Sequence, residues 1–296
     1  MNNNIKTKFF TDLKENNINL DAAQANRIIT KLEELKNYTP KIGILGKTGV
    51  GKSSLVNALI GEDVCEINDV QACTRNPQEV LMNISRDKKI LLLDVPGVGE
   101  NNLRDKEYSD LYQQLLPELD LILWLIKADD RAFTADELFY KNIVKPHLVQ
   151  GKPLLFVINQ SDKIEPIREW DIESNKPGFK QSINLDNKMK EVARFFDTPF
   201  SRIIPISTTE KYNLNKLVDE MVFALPEDRQ YTFVKKINNE LVSNDTLIKA
   251  KSNTVKNVVM GVISGAVIGY KSSGVWGAIV GAVSGFVMGI IDSIFS

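Results

Sequence analysis

Residues 41–59, KIGILGKTGVGKSSLVNAL, constrain this chain more than any other stretch. Ile42, Ile44 and Leu45 make a short apolar strand, a glycine-rich turn follows, and Leu55, Val56 and Leu59 then recur with helical spacing. Gly46, Gly51, Lys52 and Ser53 fill the fixed positions of G-x-x-x-x-G-K-[ST], a phosphate-binding loop or P-loop. Phosphates carry dense negative charge, so the backbone N–H groups of residues 49–53 must close around them, and side chains at the glycine positions would obstruct that approach. Lys52 supplies a point charge to the β- and γ-phosphates, the Ser53 hydroxyl is placed for Mg²⁺, and the start of the helix adds its partial positive charge.

The rest of the chain alternates strands with helices. Residues 119–126 (LDLILWLI) and 153–158 (PLLFVI) are continuous apolar runs and 202–206 (RIIPI) is a shorter one, as strands buried on both faces of a parallel sheet require. Two more strands are predicted over 78–83 and 89–93, and helices over 134–145 and 188–196. This order predicts an α/β fold: a P-loop NTPase domain with a mostly parallel, doubly wound sheet, its ligand at the C-terminal ends of the strands. Helices flank it on both sides. In residues 1–40, Ala25, Ile28, Ile29, Leu32 and Leu35 mark the second of two helices, opened by Asp21 and Gln24 as a capping box and closed before Pro40. These helices pack on the following domain or form a stalk with C-terminal helices. Residues 227–256 read as a helical connector with several Lys residues.

Three strand ends carry polar chemistry. Asp94-Val95-Pro96-Gly97 places a carboxylate where it can hold a Mg²⁺ water and a glycine N–H where it can meet a γ-phosphate. The polar loop of residues 61–76 contains Thr74, and the strand over 202–206 runs into Ser207-Thr208-Thr209. Asn159-Gln160-Ser161-Asp162 ends another strand. A carboxylate there can accept from both N1–H and the exocyclic amine of guanine, a donor pair adenine lacks; the plainer alternative is a pair of ordinary polar turn residues.

In this order, GKTGVGKS at 46–53, Thr74, DVPG at 94–97, NQSD at 159–162 and STT at 207–209 resemble an Era-like small GTPase of the TRAFAC class, over residues 41–226. The resemblance implies a GTP-binding domain that hydrolyses GTP to GDP and phosphate with Mg²⁺ as cofactor. It implies that Gly46, Lys47, Thr48, Gly49, Val50, Gly51, Lys52, Ser53, Ser54, Asn159, Gln160, Asp162, Ser207 and Thr208 bind the nucleotide, with the Thr208 N–H directed to guanine O6. Ser53, Thr74 and Asp94 would serve the metal, and Lys52, Thr74 and Gly97 the reaction. Three positions depart from the family. Gln160 replaces a lysine whose stem lies along the base, which predicts weaker guanine binding. Val98 replaces a water-orienting Gln, and Gly49 an Asn that recruits potassium. Hydrolysis is therefore expected to be slow alone and to rise when Arg75, Arg104, Lys106 or a partner in trans supplies charge.

Charge is balanced, with Lys+Arg 37 against Asp+Glu 38, so no nucleic-acid partner is expected, and Era's basic RNA-binding segment has no counterpart here. Two cysteines without C-x-x-C spacing and a single histidine leave no Cys/His metal cluster and fit a reducing, cytoplasmic setting. In residues 257–296, Gly261, Gly265 and Gly269 recur every four residues, as do Gly277, Gly281, Gly285 and Gly289. Such repeats draw one smooth helix face of the kind that packs closely in membranes, and the uncharged run 272–291 can span about 30 Å. The segment is read as a glycine-rich hydrophobic hairpin that associates with a membrane or packs on the protein. Two functions follow: a nucleotide switch at a membrane, with a homo-oligomer or activating partner, or a soluble Era-like GTPase acting on RNA or the ribosome.

Overall fold

The computed structural model describes residues 20–47, 49–61, 91–94, 115–130, 134–148, 151–265 and 275–295, with positions 7, 11 and 15. The chain forms two compact units: Pro40–Leu225 with Lys236–Val242, and Met1–Thr39 with Pro226–Lys235 and Ser243–Ser296. In chain order the helices are α1 (Ala22–Asn37), α2 (Lys52–Ile60), α3 (Thr134–Phe139), α4 (Phe179–Phe196), α5 (Leu214–Ala224), α6 (Gln230–Val234), α7 (Asn244–Gly265) and α8 (Val275–Phe295). Helix α3 runs on through a π-helical stretch, Tyr140–Val144, into Lys145–Leu148.

The first unit is built on five parallel strands, β1 (Lys41–Leu45), β2 (Leu91–Asp94), β3 (Leu121–Lys127), β4 (Leu154–Asn159) and β5 (Ile203–Pro205), in the order β2-β1-β3-β4-β5. The order reverses between β1 and β3, so the loop that leaves β1 lies at the switch point where open parallel sheets bind ligands. β4 is buried along its whole length and β3 at all but its last residue, which is why their sequences are unbroken apolar runs. Beside the sheet, Trp124 meets Tyr140 edge-on at 5.8 Å and Phe156 lies 4.7 Å from Phe196, ring centre to ring centre. The strand predicted over 78–83 lies outside the described residues. The helix predicted over 188–196 starts earlier, at Phe179: Gln181 and Lys188 occupy inward-facing positions, so its first turns lack an apolar stripe. Residues 236–242 return to this unit, where the Asn238 N–H donates to the Leu59 carbonyl at the end of α2 (2.8 Å).

The second unit joins the two ends of the chain. The capping box forms as the sequence predicts: the Gln24 N–H donates to Asp21 Oδ1 (2.6 Å) and the Asp21 N–H to Gln24 Oε1 (3.2 Å). The buried stripe of α1 packs with Val255, Val258, Val259 and Ile263 of α7 and with Val283, Val287, Ile291 and Ile294 of α8. Of the two arrangements open for α1, the partner is therefore the C-terminal pair.

The glycine repeat faces the other way. A Cβ added at Gly261, Gly281, Gly285 or Gly289 would meet nothing within 4 Å among the described residues, and the branched side chains make the seam. Among the described residues, no helix is long and apolar enough to cross a membrane. The uncharged run 272–291 extends beyond the described residues; the described part of α8 lays one apolar side into a protein core, and Asp292 near its end is held by polar partners.

Those partners fasten α8. The buried Tyr231 hydroxyl donates to Asp292 Oδ1, and Lys251 Nζ donates to Asp292 Oδ2 at 2.7 Å. Lys251, and then Tyr231, hold the Asp292 carboxyl below the usual carboxylate range, while burial and then Asp292 push the Tyr231 phenol above its usual value. A lowered carboxylate contributes stability that is present above its unfolded pKa, near 4, and is lost as pH falls through its folded value. A raised phenol contributes below about 10, and its share is lost as pH rises beyond that. Thermal unfolding followed by circular dichroism should give a stability plateau for this unit between those limits, and Asp292→Asn should flatten the acid limb. An acid limb unchanged in that variant would rule out the pair as its source.

Candidate nucleotide site

The P-loop takes its shape from three glycines with positive φ, Gly46 (147°), Gly49 (80°) and Gly51 (91°). Two of them cannot be replaced even by alanine without collision: a Cβ at Gly46 would lie 2.5 Å from the Leu125 carbonyl oxygen, and one at Gly51 would lie 2.4 Å from Asn159 Nδ2. The loop thus lies directly on β3 and on the first residue of NQSD. Lys52, 7% exposed, turns back over it, Nζ donating to the carbonyls of Gly46 (2.9 Å) and Lys47 (3.1 Å). Helix α2 begins after Gly51 with no side chain capping its first N–H groups. Ser53 and Ser54 stand in that first turn, where an anion is favoured.

Asn159 joins three loops. It is fully buried; Nδ2 donates to the Val50 carbonyl (2.8 Å), and Oδ1 accepts from the Thr208 N–H (3.2 Å) and hydroxyl (3.4 Å). The Thr208 N–H, which the family resemblance directs to guanine O6, here donates to Asn159. Ser207, also buried, accepts from the Glu210 N–H at 3.1 Å. Gln160, in a left-handed conformation (φ 59°), donates from Nε2 to the Gly49 carbonyl at 2.9 Å. The shorter side chain therefore cross-links the two loops. Asp162 is held from behind: Gln181 of α4, fully buried, donates to the carbonyls of Asp162 (3.3 Å) and Ile164 (2.9 Å). Asp162 Oδ1 and Gln160 Oε1 are buried without a hydrogen-bond partner among the described residues. Orphaned acceptors beside a phosphate loop call for a ligand that brings donors, and guanine brings two.

Asp94 ends β2 in register with Ile44, two residues before Gly46. Mg²⁺ takes one or two protein oxygens beside phosphates and water, and the Ser53 hydroxyl in the first turn of α2 is of that chemistry. Among the described residues no cluster of three or more His, Cys, Asp or Glu could hold a metal, and Mg²⁺ of this kind needs none. Thr48, Thr74 and Gly97, and the neighbouring Arg75, Val98, Arg104 and Lys106, lie outside the described residues.

The sequence reading missed what holds Lys47. Its Nζ lies 2.6 Å from Asp136 Oδ2 and 3.3 Å from Asp130 Oδ2. Burial opposes the Lys47 ammonium, but the two carboxylates more than offset this and raise its pKa; burial likewise pushes the Asp136 carboxyl up, with Lys47 pulling it back. Lys188 of α4, 7% exposed, donates to the Asp130 carbonyl and to Glu191 Oε2 (3.2 Å), and burial lowers its pKa. No local motif announces these contacts, since Lys47 and Asp136 are far apart in sequence.

Comparison with known proteins agrees with this geometry. The family profile described as 50S ribosome-binding GTPase matches residues 41–160. Protein YkfA of Escherichia coli (strain K12) is 40% identical over 214 residues, which cover 72% of this chain and 72% of YkfA. YfjP of the same organism is 41% identical over 204 residues, 69% of this chain and 68% of YfjP. GTPase Era of Aquifex aeolicus (strain VF5) is 32% identical over 189 residues, 63% of this chain but only 56% of Era. A crystal structure of Era in complex with MgGDPNP and a segment of 16S ribosomal RNA overlaps at a TM-score of 0.47 with 31% identity, covering 64% of this chain and 57% of that one. The chain belongs to the family of YkfA and YfjP, and its P-loop GTPase domain is similar in sequence to that of GTPase Era.

Proposed function

We propose that this GTPase works as a nucleotide switch, binding GTP and GDP with Mg²⁺, with slow hydrolysis that rises on self-association or with a partner, and that its C-terminal helices deliver the output at a membrane. The observation that carries the nucleotide reading is the cross-link at Asn159, which sets the unpartnered Asp162 acceptor beside the P-loop. Slow intrinsic turnover follows from Gly49, which offers no side chain to recruit a cation, and from Val98, which cannot orient water. Support for the membrane output is the uncharged run 272–291 and the glycine repeat, which would cost roughly 1 kcal/mol per glycine as a helix in water. In this reading the inward face of α8 is covered by protein in one nucleotide state and exposed to lipid in the other, a shift that takes about 5.5 kcal/mol of differential contact for full reversal.

A second reading, action on RNA or the ribosome, is favoured by the similarity to Era, and the charge argument against a nucleic-acid partner is set aside on that ground. One experiment separates the two. The full chain, loaded with GDP or with a non-hydrolysable GTP analogue, is floated with anionic liposomes and, in parallel, sedimented with ribosomes. Lipid binding that differs several-fold between states supports the first reading, and Gly285→Leu, whose Cβ meets nothing within 4 Å among the described residues, should then weaken it by roughening the smooth face. State-dependent sedimentation without flotation supports the second. Lipid binding that is equal in both states would leave a constitutive anchor and end the switch proposal.

A further inference from the structure

Lys52 is aimed by two carbonyls, and one of them belongs to Lys47. The side chain of Lys47 leaves the loop and is gripped by Asp136, whose carboxylate is 6% exposed, with Asp130 as a second partner. Fixing that side chain fixes the peptide whose carbonyl receives Lys52 Nζ. Asp130 is braced in turn by Lys188 on α4, the helix whose Gln181 holds the carbonyls of the base-reading loop.

We infer that Lys47 and Asp136 are positioning residues for phosphate binding: their ion pair sets the place of the Lys52 ammonium. The inference rests on the nucleotide reading above. An acidic partner for a P-loop side chain confers no phosphate affinity of its own, since Asp136 is a like charge to the ligand. What it supplies is geometry: a loop lined with glycines at positive φ has few restraints of its own, and a buried ion pair from a neighbouring helix restores one. The position of Asp136 in the first turn of α3 makes that helix, with its π-helical continuation, the element through which a displacement would reach the phosphates.

The test is release of a fluorescent GDP analogue from the full chain, followed by stopped flow beside melting temperatures. Lys47→Met and the near-isosteric Asp136→Asn should each speed release by about tenfold, the scale of one weakened charge-assisted contact. Lys47→Arg should stay within about threefold of the parent, and the preference for GDP over ADP should be retained in all three, because the base loop is untouched. Leu217→Ala, a core truncation in α5, serves as the stability control. Release within twofold of the parent in both Lys47→Met and Asp136→Asn, or release that merely follows melting temperature as it does in the control, overturns the inference and leaves a structural ion pair. A parent chain that retains no guanine nucleotide fails earlier, at the nucleotide reading itself, and takes the inference with it.

Discussion

Asp162→Asn should lower affinity for GDP on the order of 100-fold and raise affinity for xanthosine diphosphate by a similar factor. Asp162 Oδ1 is a buried acceptor with no partner among the described residues, two positions after the Gln160 that locks this loop to Gly49. Guanine offers two donors to a carboxylate in that place. Asn substitutes a donor for one acceptor, which sets N–H against N–H for guanine but meets the C2 carbonyl of xanthine. The backbone carbonyl of Asp162, which takes the bond from Gln181, is unaffected, so the loop keeps its course. Displacement of a fluorescent GDP analogue by GDP, xanthosine diphosphate and ADP reads the change directly. Equal loss of all three would make Asp162 a structural residue and leave guanine selection without an owner.

Lys52→Ala should cost phosphate binding about 3 kcal/mol, on the order of 100-fold in GDP affinity, with GTP affected at least as strongly because the γ-phosphate adds charge. Lys52 is 7% exposed and its ammonium is held at 2.9 and 3.1 Å by the Gly46 and Lys47 carbonyls, so it is already placed within the loop. Lys52→Met keeps the buried stem and should show the same loss, which separates charge from packing. Guanosine, which has no phosphate, is the control ligand and should bind the variant and the parent alike. If Lys52→Met retains GDP within about threefold of the parent, the P-loop is not the phosphate site.

How much of this was legible in the sequence depended on how local the cause was. The P-loop, β1, β3 and β4 and the capping box of α1 could all be read, because each is specified by residues within a few positions of one another. The start of α4 could not, because its inward side carries Gln181 and Lys188, polar groups satisfied by loops distant in sequence. The hold on Lys47 was hidden for the same reason. Gln160 was read by its length alone, whereas its reach depends on how close β4 brings it to Gly49. The glycine repeat is a different case: a four-residue period fixes that a helix has a smooth face but not which way the face points, and among the described residues the branched side chains make the core.

The pairing of α1 with α7 and α8 sets a schedule for biosynthesis. Helix α1 is made before the sheet, but its partners begin at Asn244, so more than two hundred residues are made before its apolar stripe can be covered. At 5–20 residues per second that is roughly 10–40 s of exposure. The sheet-bearing unit needs only Lys236–Val242 from beyond residue 225 and can close before the C-terminal helices leave the ribosome. The nascent chain therefore carries a finished enzyme fold with a sticky leader at its front, a natural client for a holdase chaperone. A message cut short before α7 would release that form permanently: Ala25, Ile28, Ile29 and Leu32 would face water beside a finished sheet-bearing unit, and the expected fate is aggregation without loss of that fold.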